Sequence, residues 1–316
     1  MANFSIMRYV EGDSIQRIDI EEELYDEILD AQQSILTTLN IEQHFGMIHG
    51  NYLDFEKALY AISFDYVNQP EFTWEFAVDA IFSLNRTITN MLSSFKIYLE
   101  LVPIKLSKIK SKCKSIESDY KREVSRIYDS HLGYRVIYAL RNHTHYGLPV
   151  VGIAQTNKLT ETTAWTQACT ITIPKMSMES LRKNERFKAA VLEDLAKIST
   201  LDEIDVRPVI RSGINGIGKI NSFLGTILDD DVKRWEKSLS NALALFDAQA
   251  DKAYLCASPG KNEAETINAI WLDPSRHRRR LQSIHRINRD MNRIFVATGM
   301  EIESHHPIDR TKPNPW

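Results

Sequence analysis

Cysteine is scarce in this chain of 316 residues: Cys113, Cys169 and Cys256 are far apart, odd in number and without a metal-type partner at short spacing. That excludes a disulfide framework and fits a reducing compartment, with the thiols inert. Long apolar runs are missing as well. No stretch approaches the roughly eighteen uninterrupted apolar residues of a membrane span, and Met1–Asp13 lacks a basic region followed by an apolar run, so neither a span nor a secretory signal is expected. No repeat period appears, and no Gly/Ser/Pro-rich linker marks a domain boundary. An excess of one charge is absent too. The formal net charge is −3, too small to make the whole molecule a magnet for polyanions.

What is present is the composition of a folded chain, with 43% hydrophobic and 26% charged residues and length enough for a sizeable core. The charge is unevenly placed. Glu11–Asp30 holds nine acids and one arginine, Lys105–Arg122 is basic, and Arg276–Arg293 carries seven arginines against Asp290. Solvated helix faces and polyanion-binding surfaces both account for such runs.

Helical spacing dominates. Leu24, Ile28, Ala31, Ile35 and Leu39 recur behind an acidic first turn, and Phe55, Leu59, Ile62 and Tyr66 repeat the pattern up to Asn68-Gln69-Pro70. The clearest stripe is Leu84, Ile88, Met91, Leu92, Phe95, Leu99 and Val102, broken or kinked at Pro103. Val124, Ile127, Tyr128, Tyr134, Ile137 and Tyr138 predict a helix that runs into Arg141 and ends before Gly147-Leu148-Pro149. Val150–Ile153 and Ala168–Ile173 are β-branched runs around a polar loop, which predicts a small hairpin or two short strands. Helical patterns resume over Ser180–Ile198, Ile204–Leu228 and Val232–Ala250, with a last helix around Leu281–Phe295. The expected fold class is mainly α: a helical bundle with a small β-hairpin insertion and additional C-terminal helices.

Three motifs carry candidate chemistry. Gly213-Ile214-Asn215-Gly216-Ile217-Gly218-Lys219-Ile220 has the glycine and lysine spacing of a phosphate-binding loop, but Ile220 stands where that loop needs a hydroxyl for Mg²⁺. The histidine pairs His143/His145 and His305/His306 have no carboxylate at ligand spacing, so no metal site is expected. Arg141 and His145 differ, because a separation of four puts both on one face of a helix that persists that far. A guanidinium clamps phosphate oxygens and an imidazole titrates near neutrality. Together they suit cleavage of RNA through attack of its own 2′-hydroxyl, the histidine moving the proton and the arginine stabilising charge growing on phosphorus. That chemistry calls for no metal or other cofactor. Asn142 would orient a side chain or bond to substrate. The alternative is that Arg141 and His145 only complement the negative end of the helix dipole.

The stretch Tyr138-Ala139-Leu140-Arg141-Asn142-His143-Thr144-His145-Tyr146-Gly147-Leu148-Pro149-Val150 resembles the HEPN superfamily, helical domains named for higher eukaryotes and prokaryotes nucleotide-binding. That family carries Arg, commonly followed by a polar residue, and then His with four to six residues between the two, near the end of a late helix; here only three intervene, one fewer than the family minimum. Leu84–Phe95 resembles the partner helix, and the likeness covers about Ile81–Val150. It implies a HEPN-like bundle over 1–150; the residue patterns place after it a β insertion at 151–175, a C-terminal helical region at 176–304 packed on the bundle and a loose tail at 305–316. It further implies a cytoplasmic, metal-independent endoribonuclease of bacterial toxin or phage-defence systems. Arg141 and His145 would be catalytic with Asn142 beside them, two copies would pair as a homodimer, and a regulatory protein partner would restrain activity. Arg279, Arg286, Arg289 and Arg293 lie near one face of the last helix and form a candidate RNA-contacting surface. The other reading is a catalytically inactive module of the same fold that binds RNA or protein.

Overall fold

The computed structural model describes residues 3–10, 14–68, 71–109, 115–143, 147–161, 166–185, 187–246, 252–258 and 266–287. Helices prevail among them, with antiparallel strands in two small sheets, as the mainly α reading with a β insertion expects. The chain divides into two compact units, each assembled from separated stretches.

The first unit takes 1–43, 100–120 and 222–284. Its sheet has the order β2-β1-β6-β7, from β1 (Asn3–Val10), β2 (Ser14–Ile20), β6 (Lys252–Ser258) and β7 (Thr266–Trp271). Ile6 faces Ile18 across one pairing and Leu255 across the other. Ile6, Ala253, Leu255 and Ile270 are fully buried, so one face of the sheet supplies core. The start of α1 (Glu22–Asn68) packs here, and buried Gln32 accepts a hydrogen bond from the Trp271 backbone N–H at 3.2 Å. The helices α8 (Asp229–Leu243) and most of α9 (Asp273–Ile287) belong to this unit. Three acids in the first turn of α8 complement its dipole.

The second unit takes 44–99, 121–221 and 285–316. It holds the rest of α1, most of α2 (Trp74–Leu106), most of α3 (Ile116–Ser130), α4 (Leu132–His143), α5 (Met178–Arg182), α6 (Ala189–Ala196) and most of α7 (Val206–Ile227). The expected hairpin is present as β3 (Gly152–Glu161) against β4 (Thr166–Ser177), with the short β5 (Glu203–Asp205) added at the edge of β4. It is fastened to α1 by Ser63, whose hydroxyl donates to Thr172 Oγ1 at 2.9 Å and accepts from the Thr172 backbone N–H at 3.1 Å.

Several boundaries differ from the sequence reading. The two helices expected before Pro70 are one, α1, because Ile41, Phe45, Ile48 and Tyr52 carry the buried stripe across the polar stretch between them. α2 continues through Pro103 to Leu106 instead of breaking there; a proline so near the end forfeits little of the hydrogen-bond ladder. The helix expected from Val124 into Arg141 is divided at His131, and the Ser180–Ile198 pattern is divided into α5 and α6. The four-stranded sheet of the first unit was not foreseen.

Glycine decides how α4 meets α7. A Cβ on Gly133 would stand 2.7 Å from the Val209 carbonyl, one on Gly213 would collide with the Ile137 side chain, and one on Gly216 would stand 3.0 Å from Tyr134 Cβ. The two backbones approach too closely for side chains at these positions.

Candidate functional site

The end of α4 is where the sequence places its candidate chemistry. Arg141 stands in the last turn of α4, half-buried, with its guanidinium carbon 4.0 Å from the centre of the Tyr138 ring, three residues earlier on the same face. Tyr138 meets Tyr128 of α3 edge to face, centroids 5.7 Å apart and planes at 87°. Lys188, just before α6, has its ammonium 4.7 Å from the centre of the Tyr128 ring and donates to its hydroxyl at 2.9 Å. The result is a row of cation, ring, ring and cation. Beneath it, fully buried Tyr134 packs between Tyr128 and Phe95. Burial, first, and the neighbouring Tyr138 hydroxyl raise the Tyr134 phenol well above its ordinary value.

The segment after the candidate site is anchored to α2. Asn85 lies within the stretch that resembles a partner helix; its buried amide donates to the Val150 carbonyl at 2.8 Å and accepts from the Val150 N–H at 2.9 Å. An amide that satisfies both polar groups of one residue fixes the chain there without leaving an orphan in the core.

Of the sequence-derived residues, Arg141 is placed and Asn142 is in α4, while the side chains of Asn142 and His143 and all of His145 lie outside the described residues. Arg279 on α9 is exposed and pairs with Glu236, which also accepts from Ser275. The Arg286 side chain, Arg289, Arg293 and the tail from His305 lie outside the described residues. The neighbouring Arg278 is buried, and desolvation pulls its guanidinium below the ordinary value.

No phosphate loop forms, as the helical pattern over Ile204–Leu228 and the missing hydroxyl at Ile220 expect. Gly213–Lys219 lies inside α7, with helix on both sides, whereas a phosphate loop needs its amides free at a strand-to-helix junction. The strand that carries Ala269–Trp271 is the antiparallel edge of its sheet, with no parallel neighbour. Lys219 instead donates to His131 Nε2 at 2.7 Å. The other ring nitrogen, Nδ1, lies 2.8 Å from Ser130 Oγ. Burial, then Lys219 and Arg126, lower the His131 value.

The sequence reading missed Tyr128, Lys188 and the His131–Lys219 contact. A tyrosine three residues before an arginine on one helix was a usable signal for the Tyr138 stack; Lys188 is brought to Tyr128 only by folding. No protein-family model, curated protein or solved structure matches the chain. Among the described residues no group of three or more metal-ligating side chains could hold an ion, and no helix is long and apolar enough to cross a membrane.

Proposed function

We propose that the protein is a metal-independent endoribonuclease of HEPN type, acting in the cytoplasm in a bacterial toxin or phage-defence role. The observation that carries the reading is the position of Arg141. It stands at the very end of α4, its guanidinium laid on Tyr138, and the chain reaches His145 two residues after the last residue of that helix. The Asn85 clamp on Val150 supports it, because it ties the chain just beyond the pair to the helix that resembles the family's partner helix.

In the reaction, the 2′-oxygen of a ribose attacks the adjacent phosphorus and the bond from phosphorus to the 5′-oxygen breaks. His145 takes the 2′-proton, the departing 5′-oxygen takes one from water, and the products are a 2′,3′-cyclic phosphate and a 5′-hydroxyl. Arg141 stabilises the charge on the phosphoryl oxygens and Asn142 orients the substrate. Two copies would pair so that their Arg141 and His145 share one cleft. A regulatory protein partner would restrain cutting, and Arg279, Arg286, Arg289 and Arg293 would hold RNA outside the cleft.

A second reading is a catalytically inactive module that binds RNA or protein in a defence assembly. The spacing favours it, three residues between Arg141 and His145 instead of four or more, and so does the half-buried stacking of Arg141, which also suits a cation at a helix C-terminus. The test is incubation of wild type, Arg141→Ala and His145→Ala with mixed RNA in EDTA, followed by separation of products. Cutting by wild type that falls by about a hundredfold or more in both variants upholds the enzyme. No cutting, or equal cutting by all three, moves the reading to the binding module.

A further inference from the structure

We infer that Lys219 is a modification site: its side-chain amine, with His131 beside it as proton acceptor, takes an acyl group from an acyl phosphate. The inference does not depend on the nuclease reading, because it uses none of the residues at the end of α4.

What sets Lys219 apart is its partner. The exposed lysines Lys57, Lys183 and Lys233 each lie against a carboxylate, Asp54 at 3.2 Å, Glu179 at 2.7 Å and Asp229 at 2.7 Å. A carboxylate holds an amine in its protonated, unreactive form. Lys219, also exposed, meets an imidazole instead, Nζ to His131 Nε2 at 2.7 Å, and among the described residues it has no carboxylate within ion-pair distance. Glu123 cannot fill that place, because Arg126 occupies both of its oxygens, at 2.7 and 2.6 Å. Partial burial, then the Arg126 charge, pull the Lys219 ammonium below its ordinary value against a smaller opposite pull from Glu123. Packing builds the contact. A Cβ on Gly216, one turn earlier in α7, would stand 3.0 Å from Tyr134 Cβ and 3.3 Å from Ile127 Cγ2, so α7 lies close enough to α3 and α4 for Lys219 to reach the residue between them.

Those parts fit acyl transfer to nitrogen. A lysine amine is a nucleophile once it has lost a proton, and a lowered value increases the share of free amine at neutral pH. An amine that donates one hydrogen to Nε2 keeps its lone pair for the carbonyl carbon. As the carbon–nitrogen bond forms, the bond from that carbon to the phosphate oxygen breaks and phosphate leaves with the electron pair. The nitrogen, now acidic, passes its surplus proton to His131 Nε2 and from there to water, which leaves acylated Lys219 and inorganic phosphate. Nothing is oxidised or reduced. An anionic donor suits the place better than a neutral one. Arg126 bonds Glu123 through Nε and one terminal nitrogen and keeps the other for the phosphate.

The experiment incubates wild type, His131→Ala and Arg126→Gln with acetyl phosphate at about pH 8, where free amine begins to accumulate, and reads the initial rate of acetylation at each lysine by digestion and mass spectrometry. Wild type should acetylate Lys219 at least about tenfold faster than Lys183 and Lys233. His131→Ala should slow Lys219 about tenfold or more while Lys183 and Lys233 keep their rates, and added imidazole should restore part of the loss, which a merely structural role would not allow. Arg126→Gln should slow Lys219 as well, because it removes a repelling cation and frees the Glu123 carboxylate. Lys219 no faster than Lys183 and Lys233, a wild-type rate in His131→Ala, or a loss that imidazole leaves untouched overturns the inference. Were His131→Ala to misfold, the exposed Arg126→Gln decides: an unchanged rate at Lys219 also overturns it. With the neutral ester phenyl acetate the preference for Lys219 should fall, and a preference as large as with acetyl phosphate overturns the choice of donor.

Discussion

His49 of α1 and His285 of α9 face each other inside the second unit with ring centroids 5.5 Å apart, His285 also packed edge-on against Phe45 at 4.9 Å. Both are buried, and His49 Nε2 has no hydrogen-bond partner among the described residues. Desolvation, and then the repulsion of a second imidazole, hold His49 down at about 4 against an ordinary 6.5.

That relationship makes stability depend on pH. In the unfolded chain His49 takes up its proton as pH falls through 6.5, while in the folded protein it resists until about 4. The unfolded state therefore binds more protons over that window, so the contribution of His49 is complete above 6.5 and is lost as pH falls toward 4. Between pH 7 and 4.5 the loss comes to about 2 kcal/mol. Urea midpoints measured across this range should fall more steeply for wild type than for His49→Leu. Parallel curves for the two proteins would show that another group governs the acid limb.

A second expectation concerns Gly213. Alanine is the better helix former by about 1 kcal/mol, so Gly213→Ala on an exposed helix would stabilise. In α7 the added methyl meets the Ile137 side chain and stands 2.9 Å from the Gly133 carbonyl, so overpacking prevails and the substitution should destabilise by about 1–3 kcal/mol. Ile137→Val removes the nearest colliding carbon, Cδ1. The double variant should recover part of the loss in a double-mutant cycle by thermal or urea unfolding. Additive effects would mean that the clash is with the Gly133 backbone instead.

The same glycines show what spacing alone leaves undecided. Gly213, Gly216 and Gly218 have the spacing of a phosphate loop, and the spacing is real, but in α7 Gly213 and Gly216 serve the approach of α4. Local pattern reports which positions are small, and only the fold reports what comes near them. Elements whose signal is local were legible: the stripe of α2, the end of α4 near Arg141 and the β-branched hairpin of β3 and β4. The sheet of the first unit was not, because β1 finds its partner β6 almost a whole chain length away and Ser14–Ile20 runs directly into the acidic start of α1. The continuity of α1 was hidden by His44, Gly46, His49 and Gly50, polar or flexible residues around Phe45 and Ile48 of the buried stripe. At the candidate site the Arg141 position was readable from one helix, whereas Lys188 over Tyr128 joins residues sixty apart.

A third expectation follows from Arg211 of α7 and Glu56 of α1, which form two parallel bonds of 2.8 Å each, from Nε to Oε1 and from the second guanidinium nitrogen to Oε2. Glu56 is 4% exposed, and burial and the Glu56 carboxylate push the buried Tyr52 hydroxyl up, so a carboxylate and a guanidinium meet here away from water. Arg211→Ala leaves that charge uncompensated inside the unit and should cost about 3–5 kcal/mol of unfolding free energy. Replacing both partners with apolar residues of similar size, Glu56→Leu with Arg211→Met, removes the desolvation penalty together with the attraction. The double variant should therefore unfold at higher urea than Arg211→Ala and close to wild type. If it is as unstable as the single variant, the pair makes a net contribution that packing cannot replace, and the ion pair itself, not its completeness, holds α1 to α7.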